Sequence, residues 1–178
     1  MWTNPGPVER LALAWAKSIH NNGGHPDVSV GTMRYAIQLW ISIALIFSIT
    51  AVCSAFLGNT TEALTTLFVI GFLRYFSGGW HFRSLELCIG FTVAIATMIP
   101  VIPDIGYEGL ILMNSVSLLL VLALAPTGHG QKFRSEQQPI VFRWLSVAIV
   151  AANLAYLSQV TTIAILIQSL TLITYRRR

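Results

Sequence analysis

Six apolar stretches, at about 35–57, 62–76, 85–103, 110–125, 140–157 and 160–175, dominate this chain and constrain its fold more than any other feature. As helices rising 1.5 Å per residue, the first would be about 34 Å long and the second about 22 Å, against a bilayer hydrocarbon core of about 30 Å. Backbone amides and carbonyls inside a bilayer must be satisfied within the protein, so apolar segments of this kind cross as helices. The expectation is an all-α polytopic membrane protein with about six transmembrane helices. The second of these is short, tilted or partly re-entrant.

Composition excludes the competing classes. Of 178 residues, 54% are hydrophobic and 10% charged, whereas a soluble domain carries about 25% charged residues. A monomer of this size in water could not hide so much apolar surface, which removes a soluble enzyme, a disordered chain and a nucleic-acid-binding domain. Two cysteines do not make a disulfide scaffold. The apolar run Leu11–Ala16 behind Glu9 and Arg10 is shorter than the h-region of a signal peptide, about 7–15 residues.

The placement of charge predicts orientation. With six crossings, Arg10, Lys17, Arg34, Arg74, Arg83, Lys132, Arg134, Arg143 and Arg176–Arg178 all fall on one side, while the opposite connections carry only Glu62, Asp104 and Glu108. Basic loops stay in the cytoplasm. The reading is a multi-pass protein of a bacterial cell membrane with both termini cytoplasmic. Before the first span, Val8, Leu11, Ala12, Trp15 and Ile19 recur at helical spacing behind Pro7 and ahead of Gly23-Gly24. This is an amphipathic interfacial helix, lying on the inner leaflet or capping the bundle. The division is residues 1–34 as an N-terminal cytoplasmic amphipathic segment and 35–178 as one integral membrane catalytic domain.

Residues able to do chemistry concentrate between the second and third apolar stretches, in Arg74-Tyr-Phe-Ser-Gly78-Gly79-Trp80-His81-Phe82-Arg83-Ser84-Leu-Glu86-Leu-Cys88. Gly78-Gly79 ends one helix, Ser84 caps the next, and Cys88 falls in its first turn, where the helix dipole and Arg83 favour a thiolate. His81 can act as its base only if 78–82 is non-helical, because residues seven apart in one helix are about 10 Å apart along the axis. On residue types alone, an interfacial loop with a snorkelling Arg and a small buried Cys stands beside this reading. Cys53, among Ala, Val and Ser, reads as core filler. No metal-ligand spacing or nucleotide fingerprint occurs, so neither metal nor other cofactor is expected.

Arg74-x3-Gly78-Gly79-x-His81-x6-Cys88 resembles the signature of the accessory gene regulator protein B (AgrB) family, membrane cysteine endopeptidases that process quorum-sensing precursor peptides. Length, the amphipathic N-terminus, the short span before the motif and Ala125-Pro126 leading into a basic loop are similar as well. Phe82 departs from the pattern, which often has Ala there. The resemblance implies Cys88 as nucleophile and His81 as general base and acid, with Arg74, Gly78 and Gly79 in support. It implies cleavage through a Cys thioester, then transfer to an internal Cys or Ser that closes a cyclic thiolactone or lactone. The partners it implies are the lipid bilayer, a short precursor with an amphipathic N-terminal helix and an acidic tail, and by analogy a second copy of the chain, with no nucleic acid. Arg83, Lys132 and Arg134 are candidates to hold the tail; the alternative is that they only fix topology and attract anionic lipid. The competing function is a small peptide exporter or membrane-interaction protein without proteolytic activity.

Overall fold

The computed structural model describes residues 6–23, 27–80, 84–127 and 137–176, with side chains up to residue 173. Among the described residues there are seven α-helices and no strand: α1 (Pro7–Asn21), α2 (Val30–Leu57), α3 (Thr60–Ser77), α4 (Leu85–Met98), α5 (Tyr107–Leu124), α6 (Gln138–Tyr156) and α7 (Gln159–Arg176). A single 3-10 turn, Ile99–Val101, extends α4. By length and apolar composition α2, α5 and α6 are each sufficient to cross a membrane, while Leu85–Val101 and Gln159–Ile173 are shorter apolar helices.

Helix ends follow local chemistry. Ser29 starts α2 by accepting the Thr32 N–H on its side chain. Gly58 stops it in the left-handed conformation at φ 72, returning its own N–H to Ser54 and Ala55 carbonyls. The connection to α3 is therefore two residues long. α3 begins at Thr60, earlier than its apolar run, because Glu62 is accommodated in its first turn and Arg74 in its last. Its 18 residues span about 27 Å at 1.5 Å each, longer than the apolar run alone gives.

α3 joins the two halves of the molecule. On one side it meets α2 and α4, and on the other α6 and α7; α1 lies on α2. α7 is the most enclosed helix, packed against α3 and α5, and it contributes Ile165 and Leu172 to a core with Leu73, Val121, Ala125 and Val150. Small residues permit this approach, with Ala164 and Ser169 wholly buried. The outward surface is apolar instead: Trp40, Phe56, Phe68, Leu112, Leu119 and Trp144 are all more than half exposed, the arrangement of a protein whose solvent is hydrocarbon.

Most buried polar side chains of the described residues are satisfied inside the bundle, Thr50 being an exception. Ser42, Thr66, Ser117, Ser146 and Ser169 donate to carbonyls one turn back. Asn153 of α6 donates to Asn114 of α5 and to Thr162 of α7, both at 2.9 Å, and Asn114 donates to the Val150 carbonyl at 3.2 Å. Three helices are thus tied together within their apolar surroundings.

α1 docks through its small residues. Ala12 and Ala16 are fully buried, Glu9 pairs with Arg34 of α2 at 3.4 Å, and Leu11, Trp15 and Ile19 stay exposed on the other edge of the apolar face. The helix is a cap on the bundle that still presents large apolar groups outward. Cys53 departs from expectation: it is exposed on α2, not core filler, because the inward positions there are taken by Thr50 and Ser54.

Candidate functional site

The motif occupies the end of α3, the turn after it and the start of α4. Gly78 terminates α3 with φ 73 and ψ −147, and Gly79 follows at φ 135. Both values lie where side chains other than hydrogen are strained. Gly78–Trp80 is non-helical, the local condition under which a residue after the turn can fold back over α4. His81 and Arg83 lie outside the described residues, as do Lys132, Arg134 and His129.

Ser84 caps α4 as expected, with extended backbone at φ −99, ψ 134 and its hydroxyl accepting the Leu87 N–H at 3.4 Å. Cys88 is half-buried in the first turn. Its N–H donates to the Ser84 carbonyl at 3.2 Å. That amide is therefore committed to the helix and is not available as an oxyanion donor. The amides of Leu85, Glu86 and Leu87 have no carbonyl partner within the helix; that of Leu87 goes to the Ser84 hydroxyl and that of Glu86 to its own carboxylate, which leaves that of Leu85.

Arg74, in the last turn of α3, is half-buried. Its Nη2 donates to the Trp80 carbonyl, and its guanidinium interacts electrostatically with Cys88 across the α3–α4 contact. The structure thus brings Arg74, Gly78, Gly79 and Cys88 together. A crevice beside them is lined by Arg74 with Phe91 and Thr92 of α4 and with Ile167, Gln168 and Thr171 of α7.

Three contributors lie outside the motif and carry no ionisable group. Gln168 of α7 donates its side-chain amide to the Gly78 carbonyl at 2.8 Å. Thr127, after α5, donates its N–H to the Ser77 carbonyl at 3.0 Å and so closes the end of α3. Thr171 packs against Gly79, where an added Cβ would fall 2.6 Å from its hydroxyl. The available signal was a glutamine in the middle of an apolar run, since polar side chains in such surroundings are costly to keep. Arg143 is engaged nearby, its Nε donating to the Ala125 carbonyl at 2.7 Å. Glu86 accepts the Ser84 hydroxyl at 2.7 Å and turns its carboxylate toward Gly6 and the Val8 N–H at the start of α1.

A helical bundle that turns apolar side chains outward and pairs polar groups in its interior defines a helical membrane protein. The chain belongs to the AgrB family: the family model described as Accessory gene regulator B matches residues 14–174, nearly the whole chain. Membership implies a part in quorum-sensing peptide processing. No curated protein and no solved structure matches the chain.

Proposed function

We propose that the chain is a membrane-embedded cysteine endopeptidase that cleaves a quorum-sensing precursor peptide through a thioester on Cys88. One observation carries the reading. A half-buried thiol stands in the first turn of α4, within electrostatic reach of Arg74, after a glycine turn that ends one residue before His81.

His81 takes the proton from the Cys88 thiol, and the sulfur attacks the scissile carbonyl carbon. The tetrahedral oxyanion meets the amide of Leu85 at the start of α4. The carbon–nitrogen bond breaks, His81 returns its proton to the leaving amine, and the N-terminal part of the precursor is held as a thioester. An internal Cys or Ser of the peptide then attacks that thioester, giving up its proton as Cys88 recovers its own. The product is a cyclic thiolactone or lactone. Apolar surroundings disfavour attack by water at this stage.

The protein sits in a bacterial cell membrane with six crossings and cytoplasmic termini, and residues 35–178 form the catalytic unit. Its basic rim, Arg83, Lys132 and Arg134, holds the acidic tail of the precursor by charge complementarity. Charge reversal of Lys132 and Arg134 to Glu tests the rim: unchanged processing with normal insertion would remove the tail-binding role.

The test of the chemistry is reconstitution in liposomes with the candidate precursor and intact-mass spectrometry. A hydroxylamine-sensitive acyl adduct is expected on the wild type and on Cys53→Ala, and none on Cys88→Ala. Equal cleavage by Cys88→Ala would overturn the thiol mechanism.

A further inference from the structure

The carbonyl of Gly78 points into the interior of the bundle, where the amide of Gln168 meets it at 2.8 Å. Gln168 is 1% exposed. It sits in an otherwise largely apolar part of α7, between Ile165, Ile167 and Leu172. A glutamine there carries a desolvation cost that Leu or Met would not. The arrangement offsets that cost through a carbonyl belonging to the motif turn. The same amide nitrogen also lies 3.5 Å from the Ser77 hydroxyl, and a Cβ on Gly79 would come within 3.1 Å of it. Two successive residues of the turn are therefore seated against one side chain.

The turn has no secondary-structure ladder to define it. At φ 73 and φ 135 its two glycines can rotate far more freely than other residues. Its course is set by side-chain donors: Gln168 at 2.8 Å and, at a longer 3.3 Å, the Ser77 hydroxyl on the Gly78 carbonyl, and Arg74 on the Trp80 carbonyl. The next residue in the chain is His81.

We propose that Gln168 is a positioning residue for the peptidase reaction, fixing the Gly78–Gly79 peptide plane and, through it, the course of the backbone that delivers His81 to Cys88. This rests on the reading of Cys88 and His81 given above. The two bridging donors have separate tasks: Arg74 is also within electrostatic reach of the thiol, whereas Gln168 acts only through the turn.

The experiment uses the full chain in liposomes, in a Cys53→Ala background, with two variants of nearly unchanged shape. Gln168→Met removes the donor and keeps the volume. Gln168→Glu restores a donor while its carboxyl is protonated, which burial favours. Precursor cleavage gives kcat and KM. Iodoacetamide alkylation of Cys88 across pH, without substrate, reports the thiol's ionisation beside its base. Gln168→Met is expected to lower kcat about tenfold, the scale of one hydrogen bond lost from a reacting geometry, with KM unchanged. Its alkylation profile should move to higher pH. Gln168→Glu should recover most of kcat at low pH and lose it as pH rises.

Wild-type kcat and an unmoved alkylation profile in Gln168→Met would overturn the proposal, as would a Gln168→Glu variant equally impaired at every pH. Asn153→Leu removes another buried donor at the far end of α6 and should leave the Cys88 profile in place; an equal shift there would reduce Gln168 to general packing and overturn its role. Cleavage surviving in Cys88→Ala would instead defeat the peptidase reading, while the alkylation profiles would still decide whether Gln168 governs the surroundings of Cys88.

Discussion

Arg74 reaches over the end of its own helix to donate to the carbonyl of Trp80, six residues later. The same guanidinium lies within electrostatic reach of Cys88 on the next helix. One side chain thus closes the loop after α3 and places positive charge beside the thiol, two tasks that need different numbers of donors. Arg has five donors in a planar fork and Lys a single ammonium point. Arg74→Lys is expected to keep the charge near Cys88 while loosening the turn, and Arg74→Met to lose both. Cleavage should fall in the order wild type, Lys, Met, by about a hundredfold for Met, the scale of an oriented charged hydrogen bond near a reacting group. Kinetics in liposomes check the order. Equal rates for Lys and Met would mean that the charge beside the thiol contributes nothing.

The glycines divide by surroundings, and so should their alanine variants. Gly79 has φ 135, and a Cβ there would meet Thr171 Oγ1 at 2.6 Å. Gly71 and Gly90 are helical, and a Cβ on either finds nothing within 4 Å. Gly79→Ala should cost about 2–4 kcal/mol from strain and overlap together. Gly71→Ala and Gly90→Ala should each stabilise by about 0.5–1 kcal/mol through helix propensity. Thermal unfolding in detergent measures all three. In the pair Gly79→Ala with Thr171→Ala the overlap is relieved while the backbone strain persists, so the double variant should be more stable than the sum of the single losses. Strict additivity would place Thr171 outside the contact.

Much of this organisation could be read from residue types, and the misses share one cause. The amphipathic spacing of Val8 to Ile19 gave α1, Ser84 gave the start of α4, and Gly78-Gly79 gave the break between α3 and α4, because each works through its immediate neighbours. Gln168 meets Gly78 from 90 positions away, and Thr127 meets Ser77 from 50. Pairings of that range depend on how helices pack, which spacing along the chain does not encode. Cys53 failed for a similar reason: α2 is apolar all round, with Ser42, Thr50 and Ser54 facing inward, so polarity does not mark its lipid side. The commitment of the Cys88 amide needed only one further step, since a cap at Ser84 makes Cys88 the first residue able to bond back.

Orientation is open to a direct labelling test. Asp104 and Ser158 are exposed on connections assigned to the outer face, and His20 is exposed on α1, assigned to the cytoplasm. In a background lacking Cys53 and Cys88, Asp104→Cys and Ser158→Cys should react with a membrane-impermeant maleimide on intact cells. His20→Cys should react only after permeabilisation. Labelling of His20→Cys in intact cells would reverse the orientation and remove the cytoplasmic placement of Cys88 with it.

The start of α4 offers the sharpest separation of fold from chemistry. Leu85 is the first helical residue after Ser84, a position where proline is well accommodated because its amide has no partner within the helix. Ser84 already has the extended backbone, φ −99 and ψ 134, that a residue before proline prefers. Leu85→Pro is therefore expected to insert and fold as wild type, with its melting temperature shifted by no more than a few degrees. If the Leu85 amide meets the oxyanion, the same variant should lose about a hundredfold in the rate of thioester formation, the scale of one removed oxyanion donor. Binding of the precursor should be unaffected, since that charge develops only in the transition state. Single-turnover kinetics with intact-mass detection separate the two steps. A Leu85→Pro variant that acylates at the wild-type rate would exclude the start of α4 as the oxyanion donor.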